Sequence, residues 1–165
     1  MIRIRERRGG DVDGCVAALT LVHQRDPYPT NWPADPGGWL TPAAMVAGWV
    51  AVDDEETVVG HVILQGGSAD EVGIVYVSRL FVTPGSRGGI GSRLLDHARE
   101  WAAARGLDLA LEVVDHEDSP AIALYERSGW RRVRTAPAHW TAPDGGVVLV
   151  HHYVLAQHAG HGAQP

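Results

Sequence analysis

The chain has 165 residues, 45% of them hydrophobic, and a formal net charge of −6. That length suits one packed domain, and the acidic balance argues against nucleic-acid binding by general phosphate attraction while tilting expectation toward a cationic or amine-bearing partner. Cys15 is the only cysteine, which excludes a disulfide framework or a multi-cysteine metal site, and no apolar run reaches the ~18 residues of a membrane span. The start, Met1-Ile2-Arg3-Ile4-Arg5, lacks the apolar core of a signal peptide, so a cytoplasmic setting without membrane association is expected.

Residues 2–8 alternate weakly and are rich in arginine, as an edge strand would be. Gly9-Gly10-Asp11 reads as a stop followed by a helix cap. Cys15, Val16, Leu19 and Val22 then recur at helical spacing, which predicts a helix over 11–25 with one buried stripe and Cys15 as a small core residue. Residues 26–39 carry Pro27, Pro29, Pro33 and Pro36 among Tyr28, Trp32 and Trp39. Prolines at that density predict irregular backbone, and the aromatics argue against disorder, so the segment reads as a loop on the substrate side. Thr41-Pro42 has the cap-then-proline signature of a short helical turn.

Residues 49–52 and 57–65 read as a hairpin around the acidic tip Asp53-Asp54-Glu55-Glu56, with His61 a packing residue of its second strand. Residues 71–82 form a long strand rich in β-branched residues, running straight into Thr83-Pro84-Gly85-Ser86-Arg87-Gly88-Gly89-Ile90-Gly91-Ser92. Beyond this glycine-dense turn, Ile90, Leu94, Leu95, Ala98, Trp101 and Ala102 mark one face of a helix that Gly106 stops. The amides of Gly88, Gly89, Ile90, Gly91 and Ser92 are thereby placed to hold a pyrophosphate at the helix start, with Arg87 as a charged clamp. A nucleotide P-loop is excluded because the chain has no lysine, and a dinucleotide fingerprint would want glycine where Leu94 stands.

Residues 107–114 supply the next strand. Ser119 as cap, Pro120 in the first helical position and Gly129 past the end predict a helix carrying Tyr125. Residues 130–135 read as a strand ending before a turn at Pro137, and 147–155 as the last strand. The polar tail 156–165 is expected to be disordered. The arginines of Arg131-Arg132-Val133-Arg134 alternate across two faces and make no nucleic-acid patch. His151 and His152 point apart, and no metal is expected.

This order of elements, together with Leu80-Phe81-Val82-Thr83-Pro84, Arg87-Gly88-Gly89-Ile90-Gly91 and the run from Ala121 to Trp130, resembles the GCN5-related N-acetyltransferases over about residues 3–155. The resemblance implies a single α/β domain over 1–155: a mixed, mainly antiparallel central sheet flanked by helices on both faces. It also implies acetyl-CoA as acyl donor. The family's acyl-carbonyl donor falls on a strand amide around Phe81 or Val82, where a bulge would free it, and its thiolate acid falls on Tyr125. Asp118 stands where the family often carries an asparagine that contacts the pantetheine arm.

Where many members carry a glutamate in the long strand, Val72–Val82 has no carboxylate. Glu71, His61, Glu112, His116 or a water relay stay open as the base. The acceptor implied is a primary amine of a small molecule or peptide, on a monomer or homodimer. A non-catalytic acyl-CoA-binding module on the same fold is the other reading of these motifs.

Overall fold

Seven strands form one sheet in the order β1-β2-β3-β4-β5-β7-β6, most of the pairings being antiparallel, and helices flank it. In chain order the elements are β1 (Arg3–Glu6), α1 (Val12–Arg25), α2 (Pro36–Trp39), β2 (Met45–Val52), β3 (Val58–Gly66), β4 (Ile74–Val82), α3 (Ile90–Ala104), β5 (Asp108–Val114), α4 (Pro120–Arg127), β6 (Arg131–Thr141) and β7 (Val147–Leu155). The structure is a computed structural model that describes residues 1–86, 88–117 and 119–155. Its contacts divide the chain into two compact units, one of Met1–Gly66 with Val77–Ala98, the other of Gly67–Tyr76 with Arg99 onward.

In the first unit the stripe Cys15, Ala18, Leu19 and Val22 of α1 is buried in one cluster with Leu40, Val50, Val52, Val58 and Phe81. Cys15 is fully buried, and burial pushes its thiol up to about 12, so it packs as a small apolar side chain. Asp11 stands at the cap position of α1 but makes no side-chain cap bond. Arg5 takes its carboxylate bidentately instead, with both N···O distances 2.8 Å, and the Arg8 amide adds a third bond at 2.6 Å. The Arg5 hydrogen bond is the largest reason that the Asp11 carboxyl is held down at about 2.

The helix signals before β2 resolve differently from expectation. The cap-then-proline signature operates at Asp35-Pro36 and not at Thr41-Pro42: Asp35 accepts from the Gly38 amide at 3.1 Å, and the one-turn helix α2 interrupts the proline-rich segment. Residues 42–45 close as a simple turn through Met45 N–H to Pro42 C=O at 3.0 Å.

In the second unit β5 pairs with β7, and β7 pairs with β6. Strand β6 runs on through Pro137, opposite Leu149, to Thr141. It can do so because β6 lies at the sheet edge, where a residue without an N–H leaves no ladder bond unmade. Ser119 caps α4 by accepting from Ile122 N–H at 3.2 Å, and Gly129 ends it with a φ of +90°.

Candidate active site

The glycine turn is built in two steps, both within the first unit. Thr83-Pro84-Gly85-Ser86 is a type II turn: proline holds its second position, Gly85 has the φ of +84° that its third requires, and Ser86 N–H returns to Thr83 C=O at 3.2 Å. Thr83 moors it, donating its amide to Val59 C=O at 2.9 Å, and its hydroxyl meets Ser86 Oγ at 2.7 Å. Gly88 and Gly89 follow at φ +92° and +66°, a region that side-chain-bearing residues seldom enter, and a Cβ at either would meet only open space. The first bond of α3 runs from Arg93 N–H to Gly89 C=O at 3.0 Å. The amides of Ile90, Gly91 and Ser92 therefore fall in the first turn, where a helix has no acceptors of its own and where its dipole favours an anion.

Strand β4 is irregular just ahead of the turn. Arg79 has a φ of +54°, which breaks the pleat two residues before Phe81. Its guanidinium lies over the Trp39 ring with Cζ 4.1 Å from the centroid, and it donates to Trp39 C=O at 3.2 Å and Ser78 Oγ at 3.0 Å. Phe81 is buried, stacks on His61 with centroids 5.0 Å apart and lies 6.4 Å from Tyr28.

Residues 16–130 match the model of the acetyltransferase (GNAT) family. The chain belongs to that family. As a member, the acetyltransferase takes acetyl-CoA as its acyl donor.

Solved structures of similar fold include the ribosomal-protein-S18-alanine N-acetyltransferase from Escherichia coli, at 19% identity and TM-score 0.72, with 94% of this chain and 93% of that one covered. An N-acetyltransferase from Staphylococcus aureus Mu50 aligns at 17% identity and TM-score 0.77, covering 95% and 99%. Arabidopsis thaliana NAA60 in complex with acetyl-CoA aligns at 18% identity and TM-score 0.71, covering 94% and 98%. No curated protein matches the chain.

Tyr125 of the acetyltransferase lies in the second unit. It is 6% exposed, its ring packed 5.8 Å from Trp130 and 6.2 Å from Tyr153 between centroids. The end of α4 folds back on it, with Trp130 N–H donating to Tyr125 C=O at 3.1 Å. Arg87 and Asp118, the expected clamp and pantetheine contact, lie outside the described residues.

Three of the candidate bases, His61, Glu71 and Glu112, meet other groups in this geometry. His61 is fully buried. Its Nε2 meets Arg7 Nη1 at 3.0 Å and its Nδ1 meets Arg79 C=O at 2.8 Å. Because a guanidinium can only donate, Nε2 accepts and Nδ1–H donates, so the neutral ring is pinned by both nitrogens. Burial is the main reason that its pKa falls to about 4. Glu71 closes its own turn, accepting from Ser68 N–H and Oγ at 3.0 Å each and from Tyr76. Glu112 sits 3.9 Å from His152.

His151 and His152 do take separate partners. His151 meets Thr135 Oγ1 at 2.7 Å and Asp115 Oδ1 at 3.0 Å, whereas His152 is near Arg134 and Glu112. Among the described residues no group of three or more His, Cys, Asp or Glu side chains is arranged to hold a metal ion. The residues that sequence reasoning missed are Arg7 and Arg79. One signal was available for Arg79: strand alternation puts it on the face of Val77 and Phe81, an odd place for a cation.

The pinned His61 sets a pH dependence. Its folded pKa of about 4 lies below the 6.5 of a free imidazole, so the unfolded chain binds a proton in that interval that the folded chain refuses. Stability is fully present above 6.5 and is lost as pH falls toward 4. Urea unfolding should therefore show the wild type losing about 2 kcal/mol more than His61→Gln between pH 7 and pH 5. Equal losses would mean that the ring is not held neutral.

Proposed function

We propose that the protein transfers the acetyl group of acetyl-CoA directly to a primary amine of a small molecule or peptide. The observation that carries this reading is the pair Gly88 and Gly89, both at positive φ, delivering the bare amides of the α3 start directly after an interrupted β4. In the reading, the turn amides hold the pyrophosphate with Arg87 beside them, Asp118 lies along the pantetheine arm, and a backbone N–H at Phe81 or Val82 polarises the acyl carbonyl. The neutral amine nitrogen attacks that carbon. A C–N bond forms, the C–S bond breaks, the amine proton leaves to the base or through water to solvent, and Tyr125 gives its phenolic proton to the departing thiolate and regains one from solvent.

Among the candidate bases His61 has its lone pair occupied and Glu71 is spent on its turn, which leaves Glu112, His116 or a water relay. The reading further takes residues 1–155 as one catalytic domain and the cytoplasm as its setting, acting as a monomer or homodimer. Among the described residues no helix is long and apolar enough to cross a membrane.

The test is calorimetric titration with acetyl-CoA followed by a free-thiol assay across an amine panel. Binding with turnover on at least one amine is expected. Binding without turnover on any amine would favour a non-catalytic acyl-CoA-binding module on the same fold.

A further inference from the structure

We infer that the acceptor of this enzyme carries a carboxylate, and that Arg79 binds it. The inference rests on the acetyl-transfer reading for the identity of the acceptor, and on the following geometry for its charge. Two half-buried arginines, Arg7 and Arg79, meet the backbone of the α2 end at adjacent residues: Arg79 Nε donates to Trp39 C=O at 3.2 Å, and Arg7 Nη1 donates to Leu40 C=O at 2.6 Å. They therefore share one locality at the end of α2.

Among the described residues the hydrogen-bond and ring partners of both guanidinium groups are neutral. Arg7 meets Leu40 C=O, Thr41 Oγ1, Met45 Sδ and His61 Nε2; Arg79 meets Trp39 C=O, Ser78 Oγ and the Trp39 ring. Among the described residues neither has a carboxylate within ion-pair distance, although Arg5, Arg3 and Arg132 in the same chain each have one. Partly buried cations are normally paired, because desolvation opposes their charge. Burial is the first cause pulling both Arg7 and Arg79 below the usual guanidinium range.

The two arginines differ in what they have left to offer. The outer nitrogens of Arg7 each already donate twice, so it contributes field alone. Arg79 uses Nε and one Nη1 proton, which leaves an Nη1–Nη2 edge matched to two carboxylate oxygens. The Trp39 ring braces one face of the guanidinium and fixes the direction of that edge.

The position also fits the chemistry. Arg79 is two residues upstream of Phe81 on the strand whose amide is proposed to hold the acyl carbonyl, so at most about 7 Å separates their Cα atoms. A carboxylate bound at Arg79 would leave an amine a few bonds away within reach of that carbonyl, as an α-amino or ω-amino acid provides. The net charge of −6 points the other way, but a pair of partly buried cations decides the nearby potential more than distant surface charges, which salt screens.

The experiment is calorimetric titration of the full chain, with and without CoA, using common α-amino acids, β-alanine and γ-aminobutyrate, each against its uncharged carboxamide. The thiol assay is run on the same pairs. The best acid should bind and react at least about tenfold better than its amide. Arg79→Gln should erase that preference by weakening the acid alone, and Arg79→Lys, which keeps charge but loses the fork, should fall between.

Amides binding as tightly as acids would overturn the inference. So would an Arg79→Gln variant that weakens acid and amide alike, since that would mean the guanidinium merely clasps the loop. Should Arg79→Gln not fold, the wild-type ratio and Arg79→Lys decide. Failure of the acetyl-transfer reading looks different: acids still bind in preference to amides, but no amine releases thiol.

Discussion

Replacing Tyr125 with phenylalanine is expected to lower kcat by about 10²–10³-fold while leaving the Kd for acetyl-CoA within about twofold. The separation follows from where the ring sits. Tyr125 is buried, and its ring packs on Trp130 and Tyr153, contacts that phenylalanine keeps. Only the hydroxyl is removed, and losing one hydrogen-bonding group in a folded chain costs about 1 kcal/mol or less when the cavity is small. Chemistry without the acid must instead expel a thiolate into a site that solvates it poorly, and that penalty falls on the transition state alone. Steady-state thiol release and calorimetric acetyl-CoA binding on the same preparation provide the check, with the thermal midpoint as control for folding. Turnover reduced less than threefold would remove Tyr125 as the acid. An equal loss in Kd would reassign the hydroxyl to donor binding.

What sequence could and could not show divides along the range of the interactions. Features fixed by near neighbours were legible. Ser119, Pro120 and Gly129 delimit α4 through bonds spanning three to five residues, and the period-3.6 stripe Cys15, Leu19, Val22 locates the buried face of α1. The turn 83–86 and the glycines at 88 and 89 were legible for the same reason, since proline and glycine dictate local φ.

The proline-rich segment defeated reading because its helix is a single turn, too short for periodicity to register. It needed Asp35 to reach the Gly38 amide, a bond that Thr41 equally advertises. Strand β6 outran its expected end because a proline forbids a ladder bond only where a neighbour exists to make it, and edge position is a property of the whole sheet. The cationic locality was hidden most completely. Arg7 joins Leu40 and His61 across separations of 33 and 54 residues, and Arg79 joins Trp39 across 40. No spacing rule connects such positions. The same distance hides the state of His61, which depends on a guanidinium near the chain start.

Gly60→Val is expected to destabilise the protein by about 1–3 kcal/mol and to weaken acetyl-CoA binding at least tenfold, although residue 60 is outside the glycine turn. Gly60 lies in β3 opposite Ala51, and a Cβ built there would stand 3.0 Å from Ile90 Cγ2, 3.1 Å from Leu94 Cδ1 and 3.3 Å from Ala51 Cβ. Ile90 and Leu94 are almost fully buried and belong to the first turns of α3. The missing side chain is thus what lets the helix start settle close against the sheet. Valine adds two methyl groups beyond that Cβ, and the element best able to yield is α3 itself, carrying the amides of Ile90, Gly91 and Ser92 with it.

A contrast isolates this cause. Gly145 has a φ of +84° with nothing within 4 Å, so Gly145→Ala should cost stability through backbone strain of about 1 kcal/mol and leave acetyl-CoA affinity unchanged. Denaturant midpoints and calorimetric Kd values for the two variants decide between the cases. If Gly60→Val loses stability but binds acetyl-CoA as the wild type does, the helix start is not what positions the donor. The pyrophosphate contact would then have to be sought away from α3. If affinity falls in Gly60→Val and holds in Gly145→Ala at comparable losses of stability, close seating of α3 on β3 is a condition for donor binding in its own right.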